Sequence, residues 1–580
     1  MTIRLEPVND NNRDAVLALS VREDQPFVAP NDVSLRQADE ANAEQPGVAR
    51  PFAIYADGRL VGFCMFAFSP EEEDPDDRYW LWRFMIDQNE QGKGYGQAAL
   101  QEIIKYFKDN GADMLYLSTE PENELGLHIY HKAGFRETGI ISDDEAVLMR
   151  MLKGPNRTIK DFYGADVDKA LRIRGKKGYG VSIAVHDGDG DLLTYCSGSG
   201  RFGQDFPVKP DMLFQAGSVS KPMFALTLLR YADKGLIDLD ADISGVLPEF
   251  VKKGPVTFAA LLSHTAGYNV HGFPGYRADH APLTPEDVLA GRGNTPKLRR
   301  IKPYGKQHMY SGGGITLAEL AFTRITGVTL REAFQKEVAE PLGLKRTGYF
   351  QPLDEALAEN AAFGGRLGEK EDPAHGYHYY PEHAAAGLWT TPTELVKIGL
   401  ALSKSYREGG LLKKKTARRM LTPVMGNYGL CINNLRGDIG EHGGWNEGFL
   451  TEWIFSLRED LCVAAMFNRT TEELDWKLSE TALELFQTVE ERMVEKPGKR
   501  TLKALCGRYE HPEGADFCVD EVYLEDGGLY AKCIDAERGE ITSQLYPIGK
   551  KTFGRKGGFA KITFGKDCVT VNDGVACKKL

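Results

Sequence analysis

The spacing of apolar and polar positions changes character twice along the chain. In the first stretch, Tyr79-Trp80-Leu81-Trp82-Arg83-Phe84-Met85-Ile86-Asp87 predicts an apolar strand leading into a helix, and Ala146-Val147-Leu148-Met149-Arg150-Met151 predicts a closing strand. The polar connector Lys153-Gly154-Pro155-Asn156-Arg157 follows. A second stretch opens on strand signals in Gly180-Val181-Ser182-Ile183-Ala184-Val185-His186 and passes through a helix-rich middle. It returns to strands in Thr451-Glu452-Trp453-Ile454-Phe455-Ser456 and Leu461-Cys462-Val463-Ala464-Ala465-Met466-Phe467. Residues 472–493 repeat apolar positions at helical spacing, and Glu495-Lys496-Pro497-Gly498-Lys499 reads as a linker. After it come short alternating strands cut by turns such as Glu525-Asp526-Gly527-Gly528 and Asn572-Asp573-Gly574, the pattern of a small β-barrel or sandwich. The expected organisation is therefore multidomain α+β, with units at 1–152, 165–495 and 500–580, the last all-β.

Composition narrows the function classes. A chain of 580 residues exceeds one ordinary domain, and 42% apolar with 27% charged residues is a globular mixture. The net charge of −12 argues against broad nucleic-acid binding and permits a cationic substrate. The opening Met1-Thr2-Ile3-Arg4-Leu5-Glu6-Pro7 has no apolar core of a secretory signal, and no run approaches a membrane helix. Nine cysteines without CxxC spacing, five of them at Cys506, Cys518, Cys533, Cys568 and Cys577, read as reduced thiols in a cytoplasmic protein rather than as a zinc site.

Chemistry enters first at Gly217-Ser218-Val219-Ser220-Lys221. A serine alone is a poor nucleophile. Three residues before a lysine at a helix entrance, it shares a face with an amine, and the helix N-terminus supplies free N–H donors and partial positive charge that suit a developing oxyanion. Ser218 as a plain N-cap is the bland alternative. Tyr310-Ser311-Gly312-Gly313-Gly314 and His442-Gly443-Gly444-Trp445 follow downstream. In this order the three motifs resemble the active site of the serine penicillin-recognising enzymes.

Further runs, Leu261-Leu262-Ser263-His264-Thr265-Ala266-Gly267, Pro341-Leu342-Gly343-Leu344 and Ala386-Gly387-Leu388-Trp389-Thr390-Thr391, extend the resemblance over most of 165–490, to the class C β-lactamase superfamily with its D-aminopeptidases, esterases and DD-carboxypeptidases. The resemblance implies a penicillin-binding-protein-like α/β fold. It implies Ser218 as nucleophile, Lys221 and Tyr310 sharing the base work, and the backbone N–H groups of Ser218 and Trp445 as oxyanion hole. His442 stands where the family has lysine. As a histidine it is expected to be partly charged near neutral pH and to grip a substrate carboxylate less firmly, which favours D-aminopeptidase-type and esterase-type chemistry over β-lactam or D-Ala-D-Ala cleavage. Gly312 replaces the family's asparagine, removing a polar substrate contact. Ser263 and His264 read as loop scaffolding.

In the N-terminal unit, Gln91-Gly92-Lys93-Gly94-Tyr95-Gly96-Gln97-Ala98-Ala99-Leu100 follows the apolar strand and opens a helix. Glycines there let a backbone approach a ligand, and helix N–H groups can hold a pyrophosphate. The spacing is not the G-x-G-x-x-G of dinucleotide folds. It resembles motif A of the GNAT acetyltransferases, and Asn123-Glu124-Leu125-Gly126-Leu127-His128-Ile129-Tyr130-His131-Lys132-Ala133-Gly134-Phe135 matches that family's N…YxxxGF pattern. The resemblance implies acetyl-CoA as acyl donor and Tyr130 as proton donor to the leaving thiolate. It places Met85, Ile86, Gln91, Gly92, Lys93, Gly94, Tyr95, Gly96 and Asn123 on the cofactor. Gln25-Pro26-Phe27-Val28-Ala29, Asn31, Ser34-Leu35 and Gln37-Ala38 are similar to bacterial spermine/spermidine acetyltransferases. The acidic run Glu71-Glu72-Glu73-Asp74-Pro75-Asp76-Asp77 could attract a polycation or be a solvated loop. A carboxylate that deprotonates the amine is not identifiable from the sequence.

Gly507-Arg508-Tyr509 and Leu545-Tyr546-Pro547-Ile548-Gly549 resemble the lipocalin-like barrel appendages of D-aminopeptidase-like hydrolases, a lid on the active-site mouth or a stabilising cap. The whole reads as a bifunctional fusion. One part is an N-acetyltransferase acting on a polyamine-like primary amine. The other is a serine hydrolase acting on a small amide, ester or D-amino-acid peptide, with no metal, nucleic-acid or membrane partner and a homo-oligomer compatible with the reading. β-Lactamase or penicillin-binding activity, and a non-catalytic ligand-binding module, are the alternatives.

Overall fold

The structure, a computed structural model, describes residues 2–580 apart from 73, 153–158, 160–178, 189–191, 202–203, 253, 278–282, 367–375, 495–496, 513–514, 516, 526, 537, 550, 573 and 575. The connector at 153–157, the start of the second unit at 165, Glu73, Asp573 and part of the linker at 495–499 thus lie outside the described residues. The chain divides into two compact units, Met1–Asn156 and Arg157–Leu580.

The first unit is one sheet: β1 (Ile3–Pro7), β2 (Ala49–Ala56), β3 (Arg59–Phe68), β4 (Tyr79–Ile86), β5 (Met114–Thr119), β6 (Arg136–Ser142) and β7 (Glu145–Met151), in the order β1-β2-β3-β4-β5-β7-β6. Neighbours run antiparallel except β4 and β5, which are parallel and register through Trp80 and Tyr116. A helix, Tyr95–Asp109, buries Ala99, Leu100, Ile103, Ile104 and Phe107 at helical spacing, and Phe107 joins Phe52, Phe66, Phe68 and Tyr79 in an aromatic core.

In the second unit, six antiparallel strands lie in the order Asn433–Leu435, Ile439–Asn446, Phe449–Ser456, Leu461–Phe467, Val181–Asp187, Leu192–Ser197. The five predicted strand runs are all strands, and the helix predicted at 472–493 spans Glu472–Arg492. All eight residues of Phe449–Ser456 are buried, because both faces of the sheet are covered. On one face the helix Pro392–Arg407 brings Gly399 against Trp453, Phe455 and Cys462; on the other Ser479 of Glu472–Arg492 meets Glu452. Pairing of Val181–Asp187 with Leu461–Phe467 closes the sheet around the helical middle, whose serine helix, Ser220–Asp233, buries eleven of its residues from Ser220 to Tyr231.

The C-terminal strands form an eight-stranded antiparallel meander from Gly507–Arg508 to Ala576–Lys578. Tyr509 bridges Lys579, and the N–H groups of Glu510 and Leu580 donate to Lys578 O and Arg508 O at 2.8 and 2.9 Å, so first and last strands meet and the sheet curls into a barrel. A buried ionic cluster fastens this barrel to the central part of the chain. Glu490 of the last helix accepts from Arg436, from Arg458 at 2.8 Å and from Tyr546 Oη at 2.8 Å; Arg436 also pairs with Asp438 at 2.7 Å, and Arg458 donates to Ile548 O at 3.0 Å. The nine cysteines are free, and no helix among the described residues is long and apolar enough to cross a membrane.

Candidate active sites

Ser218 sits in a 3-10 turn, Gly217–Val219, that runs directly into the serine helix, so Lys221 falls in the helix's first turn. Gly217 has φ +52°, and a side chain there would reach within 2.5 Å of Trp445 N; the turn exists in this form because position 217 is glycine. Lys221 is 2% exposed. Its Nζ donates to Ser218 Oγ and to Ala385 O, both at 2.8 Å, which aims the amine at the hydroxyl. Ala385 belongs to a short helix, His383–Ala386, whose next carbonyl, Ala386 O, accepts from Asn446 Nδ2 at 3.0 Å.

Asn446 ends the strand Ile439–Asn446 that carries the third motif. This strand slides against the serine turn: a Cβ on Gly444 would strike the Ala216 carbonyl and stand 3.2 Å from Ser218 N. Gly444 therefore lets the backbone of residues 444–445 lie against that of residues 216–218. Trp445 is 46% exposed and leaves its indole at the surface beside the turn.

Tyr310 precedes Ser311, the N-cap of the helix Gly312–Thr326, which accepts from Gly314 N at 2.9 Å. The tyrosine ring lies 4.4 Å from His264 and 4.8 Å from His271, ring centre to ring centre, and Lys221 Nζ stands 4.9 Å from its centroid. The structure thus brings Ser218, Lys221 and Tyr310 together. Gly312 has a steric reason: a Cβ there would meet Phe273 at 2.7 Å and His271 O at 3.0 Å, so the asparagine of the family pattern has no room.

His442 departs from the expectation of partial charge. It is 4% exposed, and burial, reinforced by the Lys221 charge, pushes its imidazole down to about 3. Its Nδ1 faces Gly443 O at 2.6 Å and its Nε2 faces Tyr428 Oη at 3.2 Å. Ser263 donates to Ala259 O at 2.7 Å and supports its own loop; His264, at φ +57°, bonds Ser311 N–H and Tyr428, each at 3.2 Å. Sequence reasoning missed Tyr428, Asn446 and the Ala385 carbonyl, none of which has a spacing signal relative to Ser218. Glu382, fully buried at the N-cap of the Ala385 helix, has no partner for either carboxyl oxygen among the described residues, and burial pushes it up to about 8.

In the first unit, the predicted loop follows β4. Gln91 Nε2 donates to Ile86 O at 2.9 Å and to Gln25 Oε1 at 2.8 Å, tying the loop to the strand end. Gly92 (φ +76°) and Gly94 (φ +83°) take left-handed conformations that start the helix Tyr95–Asp109, with open space around Gly92. Lys93 pairs with Glu90 at 2.9 Å. Asn123, expected on the cofactor, caps the helix Glu124–Lys132: Oδ1 accepts from Gly126 N and Nδ2 donates to Thr119 Oγ1, both at 2.9 Å. Tyr130 is half-buried, and burial, with the nearby Glu145 carboxylate, pushes its phenol up to about 12, so it holds its proton at neutral pH. Glu145, at the start of β7, accepts from Ser118 Oγ on β5. Arg83 on β4 donates to Gln37 Oε1, on the helix Asn31–Glu44, at 3.1 Å. The Glu145–Ser118 hydrogen bond is not visible in the sequence, because strand pairing brings the two residues together. In the acidic run, Asp76 accepts from Tyr116 Oη at 2.5 Å. Among the described residues no cluster of His, Cys, Asp or Glu is placed to hold a metal.

Comparison with known proteins finds two families in the chain. The Beta-lactamase family pattern matches residues 167–486, and the Acetyltransferase (GNAT) family pattern matches 17–135. The chain is 32% identical over 157 residues to the spermine/spermidine N(1)-acetyltransferase of Bacillus subtilis (strain 168), covering 26% of this chain and all of that protein. It is 24% identical over 271 residues to the teichoic acid D-alanine hydrolase of Staphylococcus aureus, covering 44% of this chain and 64% of that protein. Among solved structures, the D-amino acid amidase from Ochrobactrum anthropi SV3 complexed with D-phenylalanine superimposes with a TM-score of 0.47 at 20% identity, over 56% of this chain and 99% of that one. The chain belongs to the beta-lactamase family through its central part and to the GNAT acetyltransferase family through its N-terminal unit, an enzyme that joins an N-acetyltransferase to a serine hydrolase.

Proposed function

We propose that the central part cleaves an amide or ester whose acyl group is a small, D-alanyl-like unit, through an acyl-enzyme on Ser218. The observation that carries this reading is Lys221 Nζ at 2.8 Å from Ser218 Oγ, beneath the ring of Tyr310 and beside the Trp445 strand. Ser218 Oγ attacks the carbonyl carbon as its proton passes to the Lys221–Tyr310 pair, whose shared protonation belongs to both groups. The oxyanion is held by the N–H groups of Ser218 and Trp445. The leaving amine or alcohol takes the proton back, and water then releases the acid. His442 supports the substrate class: with both ring nitrogens engaged and no positive charge, it offers no cation to a substrate carboxylate. The D-alanine hydrolase relative supports the acyl group.

The N-terminal unit is read as transferring acetyl from acetyl-CoA to a primary amine of the polyamine class, in line with the spermine/spermidine relative. The N-terminus of the helix Tyr95–Asp109, freed of side chains at Gly92 and Gly94, suits the pyrophosphate. The amine nitrogen attacks the acetyl carbon, Glu145 takes the amine proton, and Tyr130 protonates the departing thiolate. Met85 and Ile86, at the end of β4, flank the acyl arm. Free cysteines suit a reducing cytoplasm, and assembly of several copies is compatible with both sites.

One panel tests both halves. A D-alanine anilide and a short-chain ester are expected to be turned over at least about tenfold faster than a chromogenic cephalosporin, since the oxyanion hole serves all three but the carboxylate grip is missing. Spermidine is expected to consume acetyl-CoA, with turnover lost in Tyr130→Phe. Cephalosporin as the preferred substrate overturns the amide–ester reading, and no acetyl-CoA consumption with any amine overturns the polyamine reading.

A further inference from the structure

Four hydrogen bonds run in one direction across the floor of the hydrolase site, and their donors follow from chemistry alone. The Ser311 N–H can only donate, so His264 Nδ1 accepts it, at 3.2 Å. Gly443 O can only accept, so His442 Nδ1 donates to it, at 2.6 Å. The proton of His264 is then on Nε2 and faces Tyr428 Oη at 3.2 Å, and the Tyr428 hydroxyl passes its own proton to His442 Nε2 at 3.2 Å. The chain begins on the residue after Tyr310 and ends on the strand that meets Ser218.

We propose that Tyr428 and His264 are positioning residues of the hydrolase, which hold His442 in its Nδ1-protonated tautomer and tie the Tyr310 helix to the oxyanion strand. The inference rests on the serine hydrolase reading above. Tyr428 has no spacing relation to any motif and reaches the site from the loop before Asn433–Leu435. It touches neither Ser218 nor Lys221 in the chain of bonds, so it acts through His442 and His264.

The surroundings explain why the chain carries no charge. The groups around His442 are Lys221 on the serine helix, His264, Tyr310 and Tyr428, and behind them His271 packs on Tyr310 and His308 on His264 and Tyr428. Burial is the first cause that holds His264, His271 and His308 down, with the Lys221 charge adding to it at His264 and His271. Cys431 and, on the same strand as His442, Glu441 act on Tyr428, whose phenol burial raises far above its ordinary value. A proton arriving on His442 Nε2 or on His264 Nδ1 would leave a donor facing a donor and break the chain. The histidines packed around Tyr310 thus bring no charge of their own to the site.

The test is the pH–rate profile of D-alanine anilide hydrolysis by the full-length chain, with active sites counted by fluorophosphonate labelling so that rates refer to folded protein. Tyr428→Phe keeps the ring and removes the hydroxyl. It is expected to lower kcat about tenfold with KM changed less than threefold, and to move the acid limb of kcat/KM upward by about one pH unit, because His442 Nε2 loses the donor that stabilised its unprotonated form. His264→Leu is expected to do the same, and the double variant to be no worse than either single one, as for links of one chain. His264→Gln, which retains a donor towards Tyr428, is expected to recover part of kcat. Unchanged kcat in Tyr428→Phe, or losses that add in the double variant with an unmoved acid limb, overturn the proposal. A wild-type chain that labels at Ser218 but shows these results refutes the positioning role alone. One that neither labels nor turns over removes the hydrolase reading and the positioning role with it.

Discussion

Gly444→Ala is expected to slow acylation of Ser218 by about 10²–10³-fold, the range seen when one oxyanion-hole donor is lost. The added Cβ would strike the Ala216 carbonyl and stand 3.2 Å from Ser218 N, in backbone that has no flexible side-chain end to yield. The strand must retreat, and Trp445 N–H retreats with it. Gly443→Ala is the control. Its Cβ would point to the other face of the sheet and meet Glu452 Oε2 at 3.6 Å, ordinary contact, so acylation is expected to stay within a few-fold of wild type. The burst rate of a p-nitrophenyl ester, with Tm followed in parallel, separates a displaced donor from an unfolded domain. Equal losses in the two variants would mean that the close approach at Gly444 has no part in catalysis.

Glu490→Ala is expected to destabilise the unit Arg157–Leu580 by about 3–5 kcal/mol, the cost of stripping one partner from a buried ion pair. Glu490 is 3% exposed at its side chain and Arg436 1%, so the alanine leaves Arg436 with Asp438 and the Tyr546 hydroxyl but without its Glu490 carboxylate, and leaves Tyr546 Oη without its acceptor at 2.8 Å. The loss reaches beyond one helix, because Tyr546 lies on a barrel strand and Arg436 beside the catalytic sheet. Barrel and hydrolase are therefore expected to unfold together in wild type and to separate into two transitions in the variant. Glu480→Ala, which removes an exposed pair with Lys477 at 3.4 Å, is expected to shift stability by less than about 0.5 kcal/mol. Urea denaturation followed by tryptophan fluorescence checks both; a Glu490→Ala midpoint equal to wild type contradicts the account of the cluster.

What could be read in the sequence was local. Ser218 and Lys221 share a helix turn, so three residues of spacing already state their geometry. The strand run 461–467 announces itself by continuous apolar character, since a strand covered on both faces needs no polar alternation. What could not be read depends on partners far along the chain. His442 looks like a group titrating near neutrality until burial and Lys221 are known to surround it. Tyr428 becomes part of the site because its loop is folded back beneath the His442 strand, and Glu145 because antiparallel pairing of β5 and β7 sets it next to Ser118. Asn123 shows the converse: the motif position was legible, but its amide is spent on capping a helix and on Thr119. Gly312 was visible as a departure, and only Phe273 and His271 reveal it as a packing requirement.

The account stands most directly on the bond formed by Ser218. The decisive measurement is the mass of the active-site peptide after the protein is quenched during turnover of a slow D-alanyl ester. The prediction is one D-alanyl group on the peptide containing Ser218, absent in Ser218→Ala and formed more slowly in Lys221→Met and Tyr310→Phe. Ester turnover that persists in Ser218→Ala, or an acyl group found on another residue, would contradict it.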